Sequence, residues 1–442
     1  MTETATAPAS LDRDAIEALA ARFGDPEWLL KRRLEAWRLF EEAPMPDPLA
    51  EEWRRTDVSK ISLDGLAPFA PPRKAIEGVG GLPPELAAFL DENEELAGRI
   101  VQHDSDVVYE TLSQDLVAKG VIAASLQTAA REHEEIVRDS LFTAVTPAEW
   151  KFLGLHGALW SGGCLVYVPK GVEVELPIEY VVGLTAERTG IFPHLLIIAE
   201  ANSSVTVIQE DISAEVPGFV SGAVEVIARE GSNVRFVDVQ RLGKQVQNFT
   251  TMRALLSKDA SFQGTLLGLG GELTKTRLDV RMEGEGSETE LLGLFFGDDD
   301  QHFSYYTRQD HIAPRTESDL LFKSVLDDSA SFIWNGVVEV RKGAGESAAN
   351  QTNRNLLLSD KASASPTPIL EISAYDVARC SHGATVGPVD DELIFYMQSR
   401  GIPASEAQEM LVDGFFSEVL DRVPSERVQD RVRAVLDTKL GR

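Results

Sequence analysis

The chain has 442 residues, 43% of them apolar, with 71 acidic against 42 basic side chains and a formal charge of −29. That length exceeds one ordinary compact core, so it implies two or three domains or an elongated repeat body with end caps. A chain this acidic repels phosphate backbones and anionic lipid, which argues against nucleic-acid and membrane-surface roles and leaves solubility as the plain meaning of the charge. Only Cys164 and Cys380 occur, so there is no disulfide framework and no CxxC pair, as suits a reducing compartment. The N-terminus, MTETATAPASLDRDAIEALA, lacks a basic start followed by an apolar run, and no stretch approaches the roughly 18 uninterrupted apolar residues of a membrane span. The expected location is the cytoplasm.

Residues 1–10 are small and polar and are expected to be disordered. Residues 11–150 read as a mostly helical region. A helix is predicted from Leu11 to Glu42, with Leu30, Leu34, Trp37 and Leu39 approximating one apolar stripe. PMPDP at 44–48 stops it, because proline lacks the amide donor and clashes with the preceding turn. A link containing PFAPPRK at 68–74 follows, then helix over 84–97 and one or two helical pieces within 111–140.

The pattern changes near residue 160, and residues 151–385 form a β-rich core. Runs such as LVYVP (165–169), VTVIQ (205–209), VEVIA (224–228) and VRFVDV (234–239) are each bounded by Gly, Ser, Asp or Asn. They recur: ANSSVTVIQ, EGSNVRFVD, DASFQGTLL and EGSETELLG align Ser204, Ser232, Ser261 and Ser287, and looser copies follow near Ser318, Ser331 and Ser363. A near-constant spacing of strand and tight turn without helix predicts the stacked coils of a β-helix, whose coils bury their inner faces only by stacking. A β-sandwich is the alternative, but it has no reason to repeat a turn sequence.

Residues 386–442 return to helix. One runs from Asp390 to Ser399 with Gly401 as its stop, and the next is capped by Ser405 with Gln408 completing a capping box. Ala407, Met410, Leu411, Val412, Phe415, Val419 and Leu420 give that helix a broad apolar face, and a charged helix closes the chain from about Ser425 to Leu436.

Catalytic motifs are missing. There is no GxxxxGK[ST] and no GxSxG; GLGGELTK at 268–275 has the wrong spacing for a phosphate loop, and His133 begins HEEIV with Val where a second histidine would complete HExxH. Three places could bind metal. In RCSHG (379–383), Cys380 and His382 stand two apart, which in a strand puts both on one face about 7 Å apart. A thiolate and an imidazole can share a soft metal or iron, but two ligands do not close a site, and a buried Cys beside a hydrogen-bonded His is the structural alternative. DDDQHFSYYTRQDHIAP (298–314) holds His302, Asp310 and His311 without a ligand spacing, and reads rather as a loop or solenoid edge with satisfied histidines. Cys164 reads as a strand-core residue.

RLEAWRLFEEAPMPDPLAEEWRRTDVSKISL (33–63), NQTNRNLLLSDKASASPTPILEI (350–372) and CSHGATVGPVDDELIFYMQSRGIPASEAQEMLVDGFF (380–416) resemble the SufD branch of the SufB/SufD family of iron–sulfur cluster assembly scaffolds, with similarity from about 30 to 425. The resemblance implies a right-handed parallel β-helix flanked by N-terminal and C-terminal helical regions. It implies pairing with a SufB-like paralogue and docking of a SufC-like ATPase on the C-terminal helices, with Asp390, Phe395, Tyr396, Arg400, Gly401, Ile402, Met410, Phe415 and Phe416 as the docking candidates. It implies that His382, with Cys380 as a weaker helper, is a ligand to a transient cluster shared with SufB. It also implies that a flavin belongs to the whole complex, none being held stably by this chain alone. SufB-like chains carry a cysteine in the segment equivalent to 350–358, where this chain has TNRN with Arg354; they carry Glu-His-Glu where this chain has Ser381, His382 and Gly383. These departures favour a SufD-type, non-enzymatic subunit over a SufB-type one, and the missing phosphate loop leaves ATP hydrolysis to the partner. A secreted β-helix acting on polysaccharide is the remaining alternative, opposed by the absent leader and by the charge.

Overall fold

The computed structural model describes residues 10–88, 90 and 94–441, so the tail expected over 1–10 lies outside the described residues but for Ser10. The N-terminal third carries α1 (Arg13–Phe23), α2 (Glu27–Glu42), α3 (Pro84–Ala87), β1 (Gly98–His103), β2 (Asp106–Leu112), α4 (Gln114–Ala118), β3 (Ile122–Ser125), α5 (Leu126–Glu132), α6 (Glu134–Ser140) and α7 (Lys151–Leu159). The single helix predicted from Leu11 to Glu42 is two. Gly24 takes a left-handed φ of 65° and Pro26 starts the next helix, so the chain turns between them. The buried stripe of α2 is Leu29, Arg33, Ala36 and Trp37, displaced from the predicted one, and includes an arginine whose guanidinium bonds Asp25 and the carbonyl oxygens of Ala158 and Trp160. Helix over 84–97 is corrected to one turn at Pro84–Ala87, and the region read as mostly helical also contributes β1, β2 and β3 to the sheets.

The next strands are β4 (Cys164–Val168), β5 (Ile178–Leu184), β6 (Thr189–Ile191) and β7 (His194–Ala199). From there each coil supplies one strand to each of two sheets: β8 (Ser204–Ser213) and β9 (Gly218–Ala228), β10 (Asn233–Arg241) and β11 (Val246–Leu256), β12 (Ser261–Gly268) and β13 (Leu273–Met282), β14 (Glu288–Gly297) and β15 (His302–His311), β16 (Glu317–Leu326) and β17 (Ser331–Val340), β18 (Ala348–Leu357) and β19 (Ser363–Ile372), then β20 (Arg379–Pro388). The first sheet runs β2-β1-β5-β8-β10-β12-β14-β16-β18-β20 and the second β19-β17-β15-β13-β11-β9-β7-β4-β3, parallel apart from the β1–β2 and β3–β4 pairs. This is the parallel β-helix expected.

One turn explains why the repeat was visible. Asn202, Gly231, Asp259, Gly286, Arg315 and Glu346 all have φ between 47° and 73°, and each backbone N–H donates to a carbonyl of the next coil, as Asn202 does to Glu230 at 2.9 Å and Asp259 to Glu285 at 2.9 Å. Gly, Asn and Asp tolerate that left-handed geometry best, which is why those letters punctuate the strands. The aligned serines are a mixed set. Ser204 and Ser261 open strands of the first sheet, whereas Ser331 and Ser363 open strands of the second.

The lumen packs Val207, Phe236, Phe262, Leu291, Phe295, Phe322, Phe332 and Trp334. The outer face of the second sheet is covered by the N-terminal helices through Phe152, Trp160, Phe219 and Phe249. The outer face of the first is covered by the last helices, α9 (Ala404–Leu420) and α10 (Glu426–Lys439), which follow α8 (Asp391–Ser399). Ser425 caps α10, accepting from Val428 N–H. The predicted capping box at Ser405 and Gln408 does not form: Pro403 holds the cap position and α9 begins at Ala404, inside which Ser405 is already helical.

Candidate functional site

The last strand of each sheet differs from those before it. Strands β8 to β17 are mostly buried, while β19 and β20 are half-buried or exposed along their whole length, because no further coil covers them. Around this open end stand the exposed apolar side chains Ile372, Tyr375 and Val386, with Tyr375 97% exposed.

Cys380 and His382 lie here, opposite Ala349 and Gln351 of β18. Ala349 and Gln351 are buried, so side-chain alternation turns Cys380 and His382 to the same lumen side. Cys380 is half-buried against the Val338–Val340 cluster, and that burial raises its thiol above its usual pKa, so it is not a ready thiolate. His382 is exposed. Between them Ser381 turns outward and donates its hydroxyl to Asn350 Oδ1 at 2.8 Å. Gln351 donates from Nε2 to the Ile369 carbonyl at 3.1 Å, but its buried Oε1 has no partner among the described residues. An unsatisfied acceptor beside an exposed imidazole marks a place where a polar group or water from outside is still owed. Among the described residues no three His, Cys, Asp or Glu side chains converge as a metal cage, so this end offers at most part of a ligand set.

The second candidate region resolves as structure. His302 and His311 end β15: His302 meets Ser331 Oγ at 2.7 Å and Thr56 Oγ1 at 3.1 Å, and His311 meets Thr316 Oγ1 at 2.8 Å and Ser318 Oγ at 2.9 Å. Burial, the first cause in each case, pushes both down to about 4, so both rings are neutral. Asp310 is taken by Arg341 through two bonds of 2.7 Å. Cys164 is fully buried in β4, and burial raises its thiol far from ionisation. Arg354 lies on the outer face of the first sheet, 3.5 Å from Glu418 of α9, away from the lumen.

The C-terminal candidates divide into two sets. Helix α8 buries no residue and presents Leu393, Phe395 and Tyr396 at 47%, 72% and 56% exposure, with Met410 of α9 at 49% beside them. Asp390 caps α8, accepting from Glu392 and Leu393 N–H. Gly401, at φ 91°, ends it with a Schellman pair: Ile402 N–H donates to Met397 O and Gly401 N–H to Gln398 O. Arg400 folds onto the Tyr396 ring. Phe416 is corrected: it is fully buried with Val412, Val419 and Leu420 against the chain's own first sheet, so it seats α9 rather than facing outward. Phe415 is half-buried, its ring under Lys323 Nζ and its carbonyl accepting from it at 2.7 Å.

One cavity offers a flavin phosphate no uncommitted cation. A cavity of about 660 Å³ between α10 and the first sheet is lined by Arg241, Lys244, Arg431 and Lys439. Those cations are already held by Glu210, Asp299 and Asp298, which leaves none committed to a ligand phosphate.

Comparison with known proteins matches residues 182–415 to the SUF system FeS cluster assembly SufBD core domain and 92–180 to the SufBD protein N-terminal region. The chain is 32% identical over 438 residues to the iron–sulfur cluster assembly protein SufD of Bacillus subtilis (strain 168), covering 98% of each chain. It is 28% identical over 436 residues to SufB of the same organism, covering 96% of this chain and 92% of that one. An iron–sulfur cluster assembly SufBD family protein of Staphylococcus epidermidis is 30% identical over 422 residues, covering 93% and 89%.

Proposed function

Because this chain belongs to the SufB/SufD family of iron–sulfur cluster assembly proteins, we propose that it is the SufD-type, non-catalytic scaffold subunit of a SufBCD-type complex in the cytoplasm. A SufB-like paralogue takes the open end of the solenoid, and a SufC-like ATPase docks on the face made by Leu393, Phe395, Tyr396 and Met410. The nascent cluster is cargo: His382 supplies a ligand at the seam, Cys380 supports it, and the paralogue completes the set. The observation that carries this reading is the exposed imidazole at the lumen mouth with too few neighbours of its own to close a site. Any flavin belongs to the assembled complex, and no step here runs through it.

Helix geometry supports a coupling role. Helix α9 is seated on β14 and β16, so a pull by the ATPase on α8 and α9 reaches the outer face of the first sheet, whose last strand carries His382. A SufB-type role is disfavoured by Arg354 standing where a cysteine would be needed and pointing away from the lumen. The test is His382→Ala in the complex co-expressed with its partners and purified anaerobically. Subunit stoichiometry should stay unchanged while bound iron and sulfide fall several-fold; undiminished iron and sulfide would remove His382 from the ligand set.

A further inference from the structure

We propose that the solenoid lumen holds a hard divalent cation between Asp211 and Asp238, with the side-chain carbonyl of Gln209 as a third ligand. The site is separate from the candidate ligands at the open end and stands independently of the proposed function.

Strand alternation places the donors. In β8, Val205 and Val207 belong to the lumen core and Ile208 to the outer one, so Gln209 and Asp211 turn inward. In β10, Val234 and Phe236 face the lumen while Val237 and Val239 face out, so Asp238 and Gln240 turn inward too. Register sets Gln209 beside Asp238 and Asp211 beside Gln240, and all four are buried. They form a block about 4.8 Å across the strands and about 6.6 Å along them. The two carboxyls take diagonal corners, from which both can reach one ion, and Gln209 stands at a corner between them.

Neither carboxyl has a basic partner among the described residues. By contrast, the buried acids Asp104, Glu179, Glu210, Glu225, Asp279 and Asp310 each meet an Arg or His side chain. Two buried carboxylates without counter-ions do not persist; protons or a cation must neutralise them. The amide oxygen favours a cation. Gln209 Nε2 donates to Asp211 Oδ1 at 3.0 Å, while Gln209 Oε1 has no partner among the described residues, and neither has Asp238 Oδ1. One proton can bridge only one pair of these oxygens, whereas a divalent cation balances both charges and collects all three side chains. The fourth corner is spent. Gln240 Nε2 donates to Gly270 O and Thr274 Oγ1, and its Oε1 accepts from Gly270 N–H.

Asp238 retains 8% exposure although it lies inside the coil, so the lumen is not packed solid beside it. The donors are all oxygens, the set that suits Mg²⁺, Mn²⁺ or Ca²⁺ rather than a soft metal. Because β8 and β10 belong to successive coils, the ion would tie one coil to the next.

Metal analysis of the untagged full-length chain, purified without chelator and dialysed against excess Mn²⁺, tests this. About one Mn²⁺ per chain should be retained, with a bound-Mn²⁺ electron paramagnetic resonance signal, and Mg²⁺ or Ca²⁺ in excess should displace it. Asp211→Asn with Asp238→Asn keeps side-chain size and removes both charges; it should lower Mn²⁺ affinity at least about tenfold with circular dichroism unchanged. If that pair fails to fold, Gln209→Met decides: it removes only the amide oxygen and should weaken Mn²⁺ several-fold. His382→Ala should leave retention unchanged. Loss of Mn²⁺ in His382→Ala would move the metal to the open end and overturn the assignment. Undiminished binding in the Asn pair or in Gln209→Met would overturn it as well. A folded wild type that retains no Mn²⁺ would show that protons alone neutralise the two carboxyls, and zinc held in preference to Mn²⁺ would overturn the cation class.

Discussion

Asp211 and Asp238 project into the solenoid on neighbouring strands, opposite Gln240 and Gln209 respectively. Burial lifts Asp211 to about 7, opposed by a 3.0 Å bond from Gln209 and reinforced by Glu210, and burial followed by Asp211 itself raises Asp238 well above its usual value. A carboxyl raised in the folded state stabilises the fold fully below its unfolded value of 3.8, and that stability is lost as pH climbs to 7. Relative to Asp211→Asn, the wild type should therefore lose about 2–3 kcal/mol between pH 5 and pH 8 in urea unfolding. A flat difference would show that Asp211 is already ionised. Residues of this kind are invisible to sequence reading, since Asp in VIQEDIS looks like a turn acid. Cys380 and His382 were legible, because their two-residue spacing needs only strand alternation to bring them together. Gln351 was not, since its role depends on a cross-strand partner 31 positions away in the register.

The C-terminal pair of helices shows one element with two occupations. Phe416 fills the seam between α9 and the solenoid, so Phe416→Ala should cost about 3–5 kcal/mol and lower the melting temperature. Phe395 touches no core, so Phe395→Ala should leave melting unchanged yet reduce co-purification of the ATPase several-fold. Equal effects of both variants on melting would contradict the division. The family resemblance had put both phenylalanines among the docking candidates; only the packing separates them, because α9 has apolar residues on more than one side. The coils were legible because each needs a left-handed turn at nearly the same interval. The aligned serines draw on both sheets because every coil has two turns of similar composition. Strands β1 to β3 were missed because they are short and alternate with helices.

Charge ties the ends of the molecule together. Arg431 of α10 reaches Glu210 at 2.8 Å, Glu94 at 3.5 Å and Glu179 at 3.6 Å, while Arg99 bonds Glu94 at 3.1 Å and pairs also with Glu179, and Arg241 pairs with Glu210. Burial raises the Glu94 and Glu179 carboxyls, and the surrounding guanidiniums pull them back. Removing one member leaves the others buried and uncompensated, so Arg431→Met should destabilise by about 3–5 kcal/mol and expose α10 to protease in limited digestion. An unchanged cleavage pattern would mean that apolar packing alone holds the helix. None of this network was readable in the sequence, where an acidic chain offers many equivalent pairings. The coil-to-coil register has a further consequence. Ser261, Glu288 and Glu317 occupy one row, as do Leu273, His302 and Ser331. Excising residues 288–316 would thus splice β12 to β16 and β13 to β17 in matching alignment. The mouth bearing His382 would retreat by about 4.8 Å per deleted rung, which makes rung number a ruler that sets the distance from the N-terminal helices to the open end in whole steps.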